Sequence, residues 1–218
     1  MSGIYKRKGI LFCLVGPAGS GKTTVGSKLL DSSSTQLRRS LSVTSRSPRA
    51  GEKDGVDYVF ITSSAFRDKI KKNEFFEWEE IHGNFYGTPH ATLSNSIHHA
   101  VDLLLISDVK GAIHVKKANP GQTCIVFLVP PSFDILEKRM KERGAVSNTE
   151  LASRLETARS EYRAVLEVAM KGQDDIDYIV VNEQIDQTCK QVLGILHSER
   201  SRLSRFDPEV LKNICRTS

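Results

Sequence analysis

The chain is poor in the residues that build metal cages, disulfide frameworks and membrane spans. It has only four cysteines in 218 residues, at Cys13, Cys124, Cys189 and Cys215, and none forms a C-x-x-C pair or a Cys/His cluster at zinc spacing. That excludes a structural zinc module and a disulfide scaffold. Cys13 and Cys124 lie inside apolar runs, where a thiol behaves as a small buried hydrophobe, and scattered cysteines of this kind point to a reducing compartment. No run of about 20 apolar residues occurs, so no membrane-spanning helix and no membrane partner are expected. The first nine residues, MSGIYKRKG, lack a long apolar stretch, and the expected location is cytoplasmic. What remains is an ordinary globular balance of 39% hydrophobic and 26% charged residues, enough to bury a core. The formal net charge of +5 suits a protein that handles phosphate groups and, taken alone, also suits weak nucleic-acid binding.

The pattern along the chain is α/β. Four short apolar runs, 10–15 (ILFCLV), 101–106 (VDLLLI), 123–129 (TCIVFLV) and 178–181 (YIVV), read as strands buried on both faces of a parallel sheet. Helical stretches separate them, at 22–30, 92–99, 112–117, 133–143, 149–170 and 184–200. Strands alternating with helices imply a doubly wound, three-layer fold. Two segments break the rhythm. Residues 40–90 are rich in Ser, Thr, Arg, Gly and aromatics and read as a small mixed α/β insert. Residues 132–169 are charged and helical and read as a mobile lid. The expected domain runs over 8–199, and the polar, basic tail from 200 to 218 is expected to pack loosely.

The strongest motif follows the first strand. Gly16-Pro17-Ala18-Gly19-Ser20-Gly21-Lys22-Thr23 matches G-x-x-x-x-G-K-[ST], the phosphate-binding P-loop. Glycines let successive backbone N–H groups converge on phosphate oxygens, and the helix that follows adds its positive end. Lys22 is expected on the β- and γ-phosphates, and the Thr23 hydroxyl on Mg²⁺, with Thr24 beside it at the nucleotide. A second apolar strand ends in Ser107-Asp108; a carboxylate there can hold Mg²⁺ directly or through water. ATP with Mg²⁺ is thus the expected donor.

The next segments are more specific. Ser42-Val43-Thr44-Ser45-Arg46-Ser47-Pro48-Arg49-Ala50-Gly51-Glu52 leads to Gly55-Val56-Asp57-Tyr58-Val59-Phe60, and then to Glu74-Phe75-Phe76-Glu77-Trp78 and Gly83-Asn84-Phe85-Tyr86-Gly87-Thr88. With the P-loop, these four motifs in order resemble the guanylate kinase family over nearly the whole chain. The resemblance implies a P-loop nucleoside monophosphate kinase that moves the γ-phosphate of ATP onto GMP.

The same resemblance implies roles. Arg46, Arg49, Tyr58 and Tyr86 would hold the acceptor phosphate, the two arginines as bidentate forks. Glu77 would read guanine by accepting from its N1–H and N2–H₂ donors, and would face adenine's N1 lone pair. Ser42 and Thr88 would donate to the other edge of the base, and Asp108 is counted with the GMP contacts. Arg139, Arg143 and Arg154 would close from the lid onto the triphosphate and share catalysis with Lys22 and Arg46. Asn182 matches an asparagine near the adenosine. Trp78 is expected in the core, and His98 and His99 on the surface. One place departs from the family: its usual acid two residues before Asp108 is Ile106 here, and its usual Gln is Lys110.

The acceptor oxygen belongs to a phosphate already ionised at neutral pH, so no general base is expected, and catalysis reduces to positioning and charge stabilisation. Competing readings are a non-catalytic guanylate-kinase-like binding module and a kinase of another small phosphorylated acceptor. Lys22 and Thr23 argue against the first, and Glu77 with Ser42 against the second. Nucleic acid is not an expected partner, because the basic residues concentrate in phosphate-binding motifs. ATP and GMP are, with dGMP and the choice of monomer or homodimer left open.

Overall fold

The computed structural model describes residues 7–32, 35–49, 51–81, 83–142, 147–172 and 174–215. In chain order, β1 (Leu11–Val15), α1 (Lys22–Asp31) and β2 (Leu37–Arg39) open the core. An insert follows with β3 (Val43–Thr44), β4 (Val59–Phe60), α2 (Ser63–Lys71), β5 (Phe75–Ile81) and β6 (Asn84–Pro89). The core resumes in α3 (His90–His98), β7 (Asp102–Ile106), α4 (Val109–Ala118) and β8 (Thr123–Val129). Helices α5 (Phe133–Glu142) and α6 (Asn148–Met170) precede β9 (Tyr178–Val181) and α7 (Ile185–Arg200), and a 3₁₀ turn (Leu203–Arg205) leads into α8 (Pro208–Cys215).

The core sheet is parallel throughout, in the order β2-β7-β1-β8-β9. β1 lies at its centre and is apolar without interruption because both of its faces are covered. Phe12 and Leu14 point into a cluster with Val25 and Leu29 of α1 and Val192 and Leu196 of α7. Leu11, Cys13 and Val15 point the other way, among Leu93, Val109, Ala112, Val115 and Val165. Strand β2 escapes a reading of the sequence, being three residues of which two are arginine. It is recruited to the sheet by its register against Asp102, Leu103 and Leu104 of β7.

The insert forms a second sheet, β4-β3-β6-β5, around its own small core. Phe66 of α2 stacks on Phe75 at 4.3 Å and on Phe85 at 5.3 Å between ring centroids. Trp78 departs from the expectation of a core residue: it is 48% exposed. It stands on β5, which is an edge strand, and meets Phe85 edge to face at 6.1 Å between ring centroids. Helices α5 and α6 share a further cluster of Leu136, Met140, Leu155 and Ala158. His98 and His99 are exposed, as expected.

The tail differs from the loose packing expected of it. The 3₁₀ turn carries Arg205 into the interior, where it pairs with the buried Glu199 and donates to the Gly121 carbonyl at 2.9 Å. Glu199 also accepts from the Tyr178 hydroxyl at 2.9 Å. Nearby, buried Asp102 accepts from both guanidinium nitrogens of Arg7 at 2.7 and 2.8 Å, from Arg200 at 2.8 Å and from the Ile10 amide at 3.0 Å. Two buried carboxylates, Asp102 and Glu199, thus tie Arg7 and Arg205 to the body of the protein.

Candidate active site

The carboxyl ends of the central strands open onto one crevice, the position where doubly wound sheets bind ligands. At the end of β1 the chain turns through Gly16–Gly21 into α1. Gly21 has φ 98°, and a Cβ there would sit 2.0 Å from the Asn182 side-chain nitrogen; at Gly16, φ 139°, a Cβ would sit 2.3 Å from the Leu128 carbonyl oxygen. Neither position admits a side chain, for reasons both of conformation and of space. The first turn of α1 holds no acid, so its positive end faces the crevice uncompensated.

Asn182 is placed under the P-loop. Its amide nitrogen donates to the Ser20 carbonyl at 2.8 Å, and its oxygen accepts from Thr188 at 3.0 Å. It is buried and engaged at both ends, so in this structure its side chain braces the loop. Lys22 lies over the same loop, donating to the carbonyls of Gly16 and, at 3.0 Å, Pro17.

Across the crevice the insert supplies the second wall. A cavity of about 940 Å³ lies between the two, lined among others by Thr23, Arg49, Tyr58, Glu77, Thr88 and Asp108; Ser42 and Tyr86 also border it. Glu77 and Thr88 are cross-strand partners of β5 and β6, which sets their side chains on one face, and the Thr88 hydroxyl donates to Glu77 Oε1 at 3.4 Å. Burial, and then the nearby Asp108 charge, push the Glu77 carboxyl above its ordinary pKa. Gly111 makes room for it: a Cβ there would lie 2.6 Å from Glu77 Oε2. Asp108 caps α4 by accepting from the Gly111 amide at 2.9 Å.

The two arginines expected on the acceptor phosphate are disposed differently from one another. Arg49 lines the cavity. Arg46 grips Glu52 with both terminal nitrogens, at 2.9 and 3.0 Å, and lies over the Tyr58 ring at 5.5 Å from its centroid. Donating to Glu52 raises the Arg46 pKa, burial opposes the rise and a hydrogen bond with Tyr86 adds to it, while Arg46 and the Arg49 amide hold Glu52 below the usual carboxylate range. Tyr58 and Tyr86 meet edge to face at 6.2 Å. On the lid side, Arg139 donates to the Asn182 carbonyl at 3.1 Å and Arg154 pairs with Glu150 at 2.6 Å. Arg143 lies outside the described residues.

Lys22, Arg46, Arg139 and Arg154 are thus each held by a protein acceptor in this form. The structure adds Glu52 and Gly111 to the residues expected from sequence. Glu52 was legible as part of the arginine motif. Gly111 was not, because nothing local marks a glycine as the neighbour of a side chain 34 positions away. Ile106, where the family usually has an acid, turns its side chain into the contact with Gly26 of α1, 2.8 Å from where a Cβ on that glycine would lie.

Comparison with known proteins decides the kinship. The guanylate kinase family model matches residues 8–199. The chain belongs to the guanylate kinase family. The guanylate kinase of Bacillus anthracis is 36% identical over 211 residues, covering 95% of this chain and 98% of that one. The guanylate kinase of Clostridioides difficile (strain 630) is 35% identical, covering 93% and 94%. The crystal structure of guanylate kinase from Anaplasma phagocytophilum superposes with a TM-score of 0.72 at 30% identity, covering 93% of this chain and 92% of that one. This likeness to guanylate kinase spans core, insert and lid together.

Proposed function

We infer that the chain is a catalytically competent guanylate kinase, transferring the γ-phosphate of ATP to GMP to give ADP and GDP. The observation that supports this is that Glu77, Thr88, Arg49, Tyr58 and the P-loop's Thr23 line one cavity, as a site that reads a base and holds its phosphate beside the P-loop would require. A binding module that performed no chemistry would gain nothing from keeping Lys22 and Thr23 at its edge.

ATP would lie with its phosphates on the P-loop amides and the start of α1. GMP would lie in the cavity, its guanine on Glu77, Ser42 and Thr88 and its phosphate on Arg46, Arg49, Tyr58 and Tyr86. Kinases of this family generally work with a divalent metal. The residues here fit Mg²⁺: a threonine hydroxyl and an exposed aspartate line the same cavity, and no cluster of three or more His, Cys, Asp or Glu able to hold a metal occurs among the described residues. That is the pattern of an ion carried chiefly by phosphate and water, not by a protein cage. Thr23, with Asp108 at longer reach, would hold it, and when bound it would neutralise charge on the phosphates. Ile106 offers it no ligand.

Substrate phosphates would take over the cations now held by protein acceptors. Lys22 would leave the loop carbonyls, Arg46 would share its fork between Glu52 and the GMP phosphate, and Arg139 and Arg154 would swing from Asn182 and Glu150 to the triphosphate. Each exchange swaps one charge-assisted hydrogen bond for another, so the site is assembled at small net cost. With the acceptor phosphate ionised, the protein's part is alignment, charge stabilisation and exclusion of water by the insert and lid. A coupled ADP-release assay with GMP, AMP, CMP and UMP tests this. Turnover with GMP alone is expected; equal turnover with AMP, or none with GMP, would overturn it.

A further inference from the structure

Lys22, Arg46, Arg139 and Arg154 each have an acceptor, but one acid of the lid has an oxygen with no donor. Glu161 is a half-buried residue of α6, and its Oε2 is shielded from solvent with no hydrogen-bond partner among the described residues. A carboxylate oxygen left in that state costs free energy that a native fold does not ordinarily accept without a function to serve. Its placement follows from the helix. Arg154, Ala158, Glu161 and Val165 recur at spacings of four, three and four, which is one face of an α-helix. Ala158 and Val165 of that face are buried. The next residue, Tyr162, locks the helix by packing edge-on against Phe127 of β8 at 5.8 Å. Glu161 therefore lies on the same stripe as the lid arginine, two turns deeper.

Two charges of the active site act on it. Burial raises its pKa first, the Lys22 ammonium pulls it back down, and Asp108 raises it again. Lys22 is the one opposite charge in that set, and it is at present turned onto the Gly16 and Pro17 carbonyls. An ammonium carries three N–H donors. A lysine drawn off those carbonyls by the nucleotide phosphates must place its donors in new directions.

We propose that Glu161 is a positioning residue for Lys22, accepting one of its N–H groups once nucleotide phosphates have drawn the ammonium away from the P-loop carbonyls. The orphaned oxygen is then the empty half of a pair that forms only in the loaded enzyme. The pair fixes the direction of the two remaining N–H groups toward the phosphates and couples α6, and so the lid, to the occupancy of the P-loop. This rests on the kinase reading above and deepens its account of Lys22.

The test compares wild type, Glu161→Gln, Lys22→Met and the double variant in three readouts. The first is turnover with ATP and GMP. In Glu161→Gln, kcat is expected to fall ten- to a hundredfold with KM for GMP unchanged, because the acceptor site is untouched. The second is equilibrium binding of adenylyl imidodiphosphate with Mg²⁺. Glu161→Gln should weaken it at least threefold in the Lys22 background and less than twofold in the Lys22→Met background, since a residue acting through another loses its effect when that other is gone. The third is ligand-free thermal unfolding: Tm of Glu161→Gln should equal or exceed that of wild type, because the substitution removes a buried charge with no partner. Undiminished turnover in Glu161→Gln, losses that multiply independently in the double variant, or a lowered ligand-free Tm would each overturn the proposal, the last by marking Glu161 as a structural acid. A wild-type chain that neither bound the analogue nor turned over GMP would instead overturn the kinase reading, and this inference with it.

Discussion

The guanidinium of Arg46 holds both carboxylate oxygens of Glu52, six residues along the chain, at 2.9 and 3.0 Å. Glu52 in turn accepts from the Arg49 amide at 2.8 Å. One carboxylate thus ties both arginines of the motif into a fixed turn and orients the Arg46 fork before any phosphate arrives. Arg46→Ala is expected to cost on the order of 2–4 kcal/mol in kcat/KM for GMP. Glu52→Gln should cost less, about three- to tenfold, because the fork survives but loses its brace. Steady-state kinetics with GMP varied checks both, and wild-type values in both variants would remove the clamp from the mechanism.

Lys22 bears on the donor side only. Lys22→Ala should abolish nearly all turnover while GMP binding, measured by equilibrium titration, persists, because the residues proposed to hold GMP belong to the insert and, with Asp108, lie outside the P-loop. Turnover at the wild-type rate would mean that the P-loop does not hold the transferred phosphate.

None of the four cysteines is joined in a disulfide. Thiol titration in denaturant without reductant should find all four. In the native protein Cys215, which is exposed, should react first, and Cys13 and Cys124 last. Both of the latter are fully buried in the central strands, and burial pushes their thiols up, away from the reactive thiolate. Fast native reaction of Cys13 would contradict the placement of β1.

Arg205 closes the tail onto Glu199 inside the protein. Arg205→Ala leaves Glu199 buried with one donor fewer, and breaking a buried pair in this way typically costs about 3–5 kcal/mol. Urea unfolding of the full chain should show that loss, whereas an indifferent midpoint would mean that the tail is peripheral.

Why this tail escaped a reading of the sequence, while the P-loop did not, is a matter of where the information lies. Gly16 to Thr23 declares itself because each residue does a local job: turn, close approach, anion binding. The strands around it are legible because burial on both faces demands an unbroken apolar run. Arg205 makes sense only against Glu199, Tyr178 and Gly121, and β2 only against β7, so the partners that decide them are remote in sequence. Trp78 misleads for the opposite reason. Tryptophan is apolar enough to suggest a core, but its strand lies at the edge of the insert sheet. Of the candidate site, Glu77 and Thr88 were legible from their motifs, and the structure adds that they are cross-strand neighbours. Glu161 was invisible, because a glutamate on a charged helix is ordinarily a solvated residue.

Glu77 also sets a pH dependence. Its folded pKa is raised by burial and by Asp108, so the empty site takes up a proton at a higher pH than a free glutamate, whose value is about 4.3. In the proposed complex guanine needs the ionised form, so affinity for GMP is expected to be full above the raised value and to fall, by up to tenfold per pH unit, as pH drops through it. Stability runs the other way: the ionised carboxylate weighs against the empty fold, and that burden is relieved as pH falls. KM for GMP measured from pH 7 downward should show this limb, and Glu77→Gln should lack it. GMP's own phosphate, with a second pKa on the order of 6, titrates in both proteins and cancels in the comparison.

The same substitution decides base choice. In the proposed complex the Glu77 carboxylate would offer two acceptors, one of them also held by Thr88 at 3.4 Å, to the adjacent N1–H and N2–H₂ donors of guanine. In Glu77→Gln one oxygen becomes an NH₂ group, so guanine loses one contact and meets a donor with a donor. Adenine, with a lone pair at N1, loses its repulsion and gains a donor to accept from. Efficiency with GMP should therefore fall while discrimination against AMP narrows by roughly tenfold to a few hundredfold, the value of one buried polar contact. Ser42→Ala should weaken GMP more modestly, since it removes a neutral donor. Steady-state kinetics of Glu77→Gln with GMP and AMP measure the ratio directly. If it equals that of the parent, Glu77 does not read the base, and the acceptor becomes an unspecified small phosphorylated molecule held only by its phosphate.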